Sequence, residues 1–195
     1  MAWDTERTKT LLLDAATTEF SSYGLAGARI DRIAESAGVN KERIYQYFGK
    51  KSEFFGIVLA RQLAAVMDSV SLTGTGVHAV VDYAGRCFDY QVRHPELARL
   101  TFWEGLECTE PTAFTVRSEG AANKVVRLRA ALPTITEEDA RELLTTILTL
   151  CDGWQVLHTM DRVYTGTVTR DAARNAARKA AVLQVIESYT RSLVD

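Results

Sequence analysis

The sequence lacks the patterns that build disulfide frameworks, membrane spans or β-sheets. Its 195 residues include only three cysteines and three prolines. Cys87, Cys108 and Cys151 are far apart and odd in number, which argues against a disulfide framework and for a reducing compartment. The most apolar run, residues 143–151, contains three threonines and is too short to cross a bilayer. With no alternating run that indicates a strand, the sequence predicts an all-α protein without a membrane partner.

The chain also lacks the motifs of common enzymes and metal sites. It has no Gly-rich phosphate loop and no GxSxG motif. His78, His94 and His158 are not grouped with cysteines or carboxylates at the spacing of metal ligands. We therefore expect neither an enzyme nor a bound metal or cofactor.

Composition indicates an ordinary globular protein of the cytoplasm. Hydrophobic residues make up 47% of the chain and charged residues 25%, with a net charge of −2. The first four residues carry an acid and no apolar segment follows them, so no signal peptide is expected.

The most informative segment is residues 28–51, which predicts two short helices joined by a tight turn. Ile30, Ile33, Ala34 and Ala37 recur at i, i+3, i+4 and i+7. Gly38 then ends the pattern where a chain leaving a helix often needs a positive φ. The segment has the form of a helix-turn-helix.

The second helix of this segment presents two different faces. Asn40 is a good N-cap, and Ile44 and Phe48, four residues apart, form the buried side. The opposite side carries basic, aromatic and amide groups, which suits the major groove of DNA. Although residues 1–55 hold eight cations and eight anions, residues 39–51 hold four cations and one anion, a net charge of +3. This local charge matters most, because screening limits phosphate attraction to about 10 Å.

The order of these residues resembles the N-terminal domain of the TetR (tetracycline-repressor) family of bacterial transcription regulators. The resemblance covers about residues 5–60. It includes the Ile33-Ala34 pair, the Ala37-Gly38-Val39 turn, Ile44-Tyr45, Phe48, and Lys51 followed by Phe54. It implies a three-helix DNA-binding domain at residues 1–50 and a helical domain for effector binding and dimerisation at residues 51–195.

The resemblance also implies DNA contacts. Lys51 matches the family's phosphate-contacting lysine, Tyr45 its tyrosine, and Tyr47 the place where many relatives have histidine. Arg43, Lys41 and Gln46 are suited to base edges. The full predicted set is Arg29, Asn40, Lys41, Glu42, Arg43, Tyr45, Gln46, Tyr47, Lys50 and Lys51. Alternatives stay open: the tyrosines could pack against the first helix, and the polar residues could be solvated surface groups.

Two positions depart from the family pattern. Glu42 stands where a small residue often lets the backbone approach DNA, and Ala28 stands where a threonine often caps the second helix. Glu42 could accept from a cytosine amino group or pair with Lys41 or Arg43. Both changes indicate that the operator of another member cannot simply be transferred to this chain.

Periodicity and helix-start signals divide the whole chain into about nine helices. Thr136, followed by three acids, is a predicted N-cap, and Thr169 is predicted to cap the last helix. The predicted bounds are about residues 4–22, 29–36, 40–48, 51–70, 77–93, 96–107, 112–131, 137–160 and 170–193.

The last two helices are the predicted dimer surface. The final helix carries a long stripe with small residues in its first half and Leu183, Ile186 and Tyr189 in its second. The family resemblance implies a four-helix interface and a pseudo-palindromic operator in double-stranded DNA. The alternative is that the stripe packs only within its own chain.

Aromatic residues between the fourth and eighth helices suggest a pocket. We expect Phe88, Trp103 and Trp154 to surround an unknown, mainly apolar effector, with His158 as a polar contact. The rings could equally form only core. The predicted function is therefore a homodimeric repressor that a small effector releases from DNA, and the alternative is a helix-turn-helix regulator without a small ligand.

Overall fold

The computed structural model describes residues 2–166 and 169–195, and these residues form ten helices and no strand. The helices are α1 (Ala2–Gly27), α2 (Ile30–Ala37), α3 (Glu42–Phe48), α4 (Lys51–Ser69), α5 (Gly76–Arg93), α6 (Pro95–Glu107), α7 (Phe114–Ala131), α8 (Glu137–Val156), α9 (His158–Thr165) and α10 (Ala172–Val194). The predicted all-α class is confirmed. The extra helix arises because the predicted eighth helix ends at Val156 and a separate short helix begins at His158.

The chain divides into two compact units. Unit 1 contains residues 1–65 and 96–115, and unit 2 contains residues 66–95 and 116–195. The predicted domain boundary at residue 50 is a different division of the chain and stays a prediction.

Aromatic packing forms the core of unit 1. Phe20 of α1 meets Phe54 and Phe55 of α4 edge to face, with ring centroids 5.8 and 5.3 Å apart. Phe48 of α3 stacks on Phe54 at 4.4 Å. Leu12 completes the predicted inner face of α1, since it is fully buried. These contacts fix the positions of α1, α3 and α4 within the unit.

Helix α6 belongs to unit 1 and holds the end of α1. Arg99 Nε and Trp103 Nε1 both donate to the carbonyl oxygen of Ser21, at 2.7 and 3.2 Å. The Glu107 carboxylate accepts from the backbone N–H of Ala26 at 3.0 Å. Gly24 is required here, because its φ is +70° and a Cβ would lie 2.6 Å from the Glu107 carboxylate.

Unit 2 is built around α5, which packs against α8 and α10. Its fully buried side chains include Phe88 of α5, Leu143 and Ile147 of α8, and Ile186 of α10. The predicted start of α8 is confirmed by a capping box, in which Thr136 and Asp139 exchange hydrogen bonds. The predicted cap at Thr169 is wrong, since α10 begins at Ala172 and the Asp171 carboxylate accepts from the Arg174 N–H at 2.8 Å.

Candidate nucleic-acid interface and ligand cavity

The turn between α2 and α3 has the geometry that its sequence predicts. Gly38 adopts the left-handed conformation, with φ 63° and ψ 32°, and its N–H points to the carbonyls of Ala34 and Glu35. Asn40 Oδ1 accepts from the Glu42 N–H at 3.2 Å, while Lys41 already has helical φ and ψ. Asn40 therefore performs the capping two residues before the assigned start of α3.

Helix α3 has one buried side and one exposed side. Ile44 is fully buried and Phe48 nearly so. The side chains of Glu42, Arg43, Tyr45 and Gln46 are exposed, and Tyr47 is half-buried. Arg43 Nη1 lies 3.5 Å from the Tyr47 hydroxyl, one turn along the helix. The alternative that Tyr45 is buried against α1 is not supported, because its exposed fraction is 54%.

Several cations around α3 are not neutralised. In the part of the chain that the structure describes, Arg29, Arg43, Lys50 and Lys51 have no carboxylate within 4.0 Å. Lys51 Nζ instead donates to the Ala26 carbonyl at 3.1 Å. These groups remain available to phosphates, whose attraction supplies much of the affinity for DNA.

Lys41 is the exception among these cations. Its ammonium donates to the Asp31 carboxylate of α2 at 3.1 Å, and this hydrogen bond raises the pKa of Lys41. The pair is exposed on both sides, so it can open at little cost. Lys41 is thus tied to α2 in the free protein and does not pair with Glu42.

Glu19 is a positioning residue that the sequence interpretation missed. Its carboxylate accepts from the backbone N–H of Arg29 at 2.8 Å and from Arg32 Nε at 2.8 Å. Ala28, where the family often has a capping threonine, is buried. Glu19 of α1 therefore holds the backbone and side chains at the start of α2, which has no capping side chain of its own. Ten residues separate Glu19 from Arg29 along the chain, so no local capping pattern could reveal it.

None of the four predicted effector residues lines the cavity of unit 2 that is described below. Trp103 belongs to unit 1, whereas Phe88, Trp154 and His158 belong to unit 2. Trp103 donates to the Ser21 carbonyl, and Phe88 is a buried core residue. His158 is exposed, with Nδ1 3.1 Å from the Val156 carbonyl oxygen.

The ring of Trp154 is already occupied by neighbours in its own unit. Its Nε1 donates to Asn175 Oδ1 at 2.8 Å, and the Arg170 guanidinium lies 3.6 Å from its ring centroid. Arg170 and Arg174 both donate to the buried carboxylate of Asp161, which joins α9 to α10. With only 5% of its surface exposed and Arg170 over its ring, Trp154 serves in packing.

Unit 2 does contain a sizeable cavity, at a different place. Its volume is about 590 Å³, within the range of small-molecule sites. The end of α4, the segment after it, α5, α7 and α8 enclose it. Its apolar wall is formed by Met67, Val70, Leu72, Leu128 and Leu144, and its polar groups include Asp68, Tyr83, Asn123, Lys124 and Arg127.

A set of partly desolvated polar groups lies beside this cavity. Burial raises the pKa of Asp152 to about 6, although Lys124 and a hydrogen bond from Gln91 act in the opposite direction. Gln91 Nε2 donates to Asp152 Oδ1 at 2.6 Å. Burial also lowers the pKa of Lys124 and raises that of Cys87 to about 11. Cys87 is therefore an unreactive thiol at neutral pH.

The predicted dimer residues differ in how much surface they offer. Ile186 is completely buried within its own chain, so its assignment to a subunit interface is wrong. Leu183 and Tyr189 are half-buried. Between residues 172 and 188, the exposed side of α10 carries mostly small residues instead, with Gln184 and Val185 as the larger side chains. The small residues are Ala172, Ala173, Ala176, Ala177, Ala180, Ala181 and Ser188.

Two further observations concern the described residues, 2–166 and 169–195. No group of three or more His, Cys, Asp and Glu side chains is arranged to hold a metal ion there. Within the same ranges, no helix has the length and hydropathy needed to span a membrane.

The helix-turn-helix with its exposed basic face defines a DNA-binding regulatory protein. Residues 12–56 match the family described as "Bacterial regulatory proteins, tetR family", and residues 79–187 match "Tetracyclin repressor-like, C-terminal domain". The chain belongs to the TetR family of bacterial transcriptional regulators.

Individual relatives agree with this assignment. The chain is 37% identical over 187 residues to the HTH-type transcriptional repressor SCO4008 of Streptomyces coelicolor, covering 92% of this chain and 96% of that protein. It is 32% identical over 109 residues to the HTH-type transcriptional repressor NicS of Pseudomonas putida, covering 54% of this chain and 51% of that protein. The crystal structure of SCO4942 from Streptomyces coelicolor superposes with a TM-score of 0.74 at 28% identity, covering 93% and 97% of the two chains.

Proposed function

We propose that the protein is a homodimeric transcriptional repressor of the cytoplasm that binds a pseudo-palindromic operator and is released from it by a small organic effector. The observation that carries the DNA-binding part is α3, whose apolar side is buried while Arg43, Tyr45 and Gln46 are exposed beside unpaired cations. The repressor assignment is supported by the relative SCO4008, which is named a repressor and matches almost the whole chain.

The predicted DNA contacts divide into two kinds. Lys51, Lys50, Arg29 and Tyr45 would meet phosphates, and these contacts would fix the register of the protein on the duplex. In contrast, exposed side chains on α3 such as Arg43 and Gln46 are candidates for reading base edges. The two kinds are separable because phosphate contacts act on all sequences alike.

Substitution of the phosphate-contacting residues tests this assignment. We expect Lys51→Ala and Tyr45→Phe to weaken binding to every DNA sequence, and to lower the slope of affinity against salt by about one for each lost contact. Operators would first be selected from a random DNA pool, and binding measured by fluorescence anisotropy over a range of salt. Arg129→Ala, an exposed cation on α7, is the matched control. Wild-type affinity of both variants at about 150 mM salt would reject the assignment.

Dimerisation is proposed to use the exposed small-residue side of α10 together with α8. Small side chains let helix backbones approach closely, and a two-fold dimer places two recognition helices in successive grooves. We expect Ala180→Glu to give a monomer by sizing and light scattering and to lose operator affinity at the same time. Ala122→Glu, an exposed alanine on α7, should remain a dimer. A wild-type protein that is monomeric at micromolar concentration would contradict this proposal.

The cavity of unit 2 is the proposed effector site, in place of the aromatic pocket expected from the sequence. Gly120 lines it, and a Cβ at that position would lie 2.9 Å from the Met67 side chain. We expect Gly120→Leu to reduce the cavity and to abolish effector-induced release while leaving operator affinity unchanged. Gly105→Leu, at an open position of α6, should behave like the wild type. Effectors can act only through their difference in affinity for the two conformations.

A panel of organic compounds, scored by the rise in melting temperature, would supply effectors for this test. If no compound raises the melting temperature of the wild type while operator binding is intact, the regulator without a small ligand becomes the better description.

A further inference from the structure

One charged side chain of the cavity has no ion-pair or hydrogen-bond partner among the described residues. Lys124 of α7 lines the cavity and is only half-exposed. Among the described residues, no carboxylate lies within 4.0 Å of its ammonium group, and it makes no hydrogen bond. Asp152 acts on Lys124 electrostatically from farther away, and that carboxylate is already hydrogen-bonded by Gln91. A cation with no bonded partner in such a place costs free energy that a ligand could recover.

The formal charges of the residues that line the cavity also favour an anionic ligand. Lys124 and Arg127 contribute two positive charges and Asp68 one negative charge, a net of +1. Arg127, three residues beyond Lys124 on α7, has no carboxylate within 4.0 Å in the residues described. The groups that line the cavity therefore carry a net positive charge, which favours an anion, and Asp152, which does not line the cavity, offsets part of this charge.

The rest of the wall requires an apolar body. Met67, Val70, Leu72, Leu128 and Leu144 line the cavity, and the Met67 thioether can adapt to the shape of a guest. A free inorganic anion would leave this surface uncovered, and a neutral hydrocarbon would leave Lys124 unpaired.

We propose that the effector is a small organic anion, with an apolar body against the leucine and methionine side chains and a carboxylate paired with Lys124. This inference rests on the proposed function, because it takes the cavity as the effector site. A charge-assisted hydrogen bond to a carboxylate is about twice as strong as a neutral one, which makes Lys124 the residue that would set the chemical class.

Matched compound series test the proposal without knowledge of the natural effector. Cinnamate, cinnamyl alcohol and cinnamylamine share one body and differ in charge, and naphthyl and decyl bodies with the same three end groups extend the series. Binding to the full-length protein would be measured by titration calorimetry and by melting temperature. We expect the carboxylate to bind about tenfold more tightly than the alcohol in at least one series, and the amine to bind most weakly.

Two variants test whether Lys124 causes the preference for a carboxylate. Lys124→Met keeps the length of the side chain and should weaken carboxylate binding about tenfold while leaving alcohol binding nearly unchanged. Arg129→Met, an exposed cation on the same helix outside the cavity, should bind the carboxylate like the wild type. If Lys124→Met does not fold, the binding of the carboxylate, alcohol and amine to the wild-type protein still tests the proposal.

Three results would overturn the proposal. These are tightest binding of the amine or the alcohol in every series, unchanged carboxylate binding by a folded Lys124→Met, and no binding of any member. Selection of DNA from a random pool, performed on the same preparation, separates the failures. Operator binding without carboxylate preference rejects only the ligand class, whereas loss of all DNA binding rejects the proposed function.

Discussion

In unit 1, the cations around α3 are exposed, apart from the half-buried Lys51, and mostly have no acidic partner. Unit 2, by comparison, keeps Lys124, Asp152 and Asp161 partly or fully removed from water. Exposed cations cost little in folding, because water solvates them, so their number can be set by the needs of DNA binding. Buried charges are expensive, and each one in unit 2 is stabilised by specific neighbours or, at Lys124, lies beside a cavity. Charged residues therefore indicate different things in the two units: in unit 1 they indicate a surface for DNA, and in unit 2 they indicate specific contacts or a ligand site.

The strongest test of this difference between the units is to introduce a new buried charge in unit 2. Ile186→Glu should destabilise the fold by more than about 3 kcal/mol, because a fully buried site would have to hold a carboxylate without a partner. Urea unfolding followed by circular dichroism measures the effect.

Val163 provides the control for that experiment. It lies on α9, outside the proposed dimer surface, and has 74% of its surface exposed, so Val163→Glu should retain the wild-type free energy of unfolding within about 1 kcal/mol. If Ile186→Glu were as stable as Val163→Glu, the burial of Ile186 within its own chain would be wrong.

Removal of a charge already buried in unit 2 should have a smaller effect that depends on pH. Asp152 has a folded-state pKa of about 6, above the ordinary value of about 3.9, so the folded protein binds this proton more tightly than the unfolded chain does. The free energy of unfolding should therefore fall as pH rises from about 4 through about 6, by up to about 3 kcal/mol.

Asp152→Asn removes this dependence and keeps an oxygen that can accept from Gln91. We expect the variant to gain stability over the wild type at pH above about 6, with little difference near pH 4. The loss of attraction to Lys124 reduces the gain. Thermal melts at the two pH values, with the exposed Asp82→Asn as control, measure it. If Asp152→Asn and the wild type differed in melting temperature by the same amount at both pH values, the raised pKa of Asp152 would be wrong.

In unit 1, removal of one exposed charge should leave stability unchanged and alter only recognition. Arg43→Ala should relax base preference at particular operator positions by about 1–3 kcal/mol, since arginine pairs with guanine through two hydrogen bonds. Selected DNA pools for the variant and the wild type provide the comparison. Identical base preferences would show that Arg43 does not read bases, and a lower melting temperature would show that it also supports the fold.

Local patterns proved reliable where neighbours along the chain decide the structure. The left-handed Gly38, the capping by Asn40, the buried pair of Ile44 and Phe48, and the start of α8 at Thr136 are all confirmed. Each depends on residues within about one turn, where backbone hydrogen bonds and helical periodicity leave few alternatives.

Contacts distant in sequence were beyond such patterns. Glu19 of α1 binds the backbone N–H of Arg29 just before α2, and Arg170, which precedes α10, lies over the ring of Trp154 of α8. Trp103 and Trp154 have the same side chain and similar apolar surroundings in sequence, yet one anchors α1 in unit 1 and the other packs under arginines in unit 2. Periodicity identifies the inner face of a helix but not the element that covers it.

The sequence by itself determined the all-helical class, the helix-turn-helix and the family, because these depend on periodicity, turn residues and local charge. Only the tertiary structure decided which aromatic rings are packed away, that Ile186 faces the core of its own chain, and that Lys124 lines a cavity of about 590 Å³. The physical reason is that desolvation and void space arise from several helices meeting at one place. The free energy of a side chain there depends on neighbours far along the chain, which local spacing does not specify.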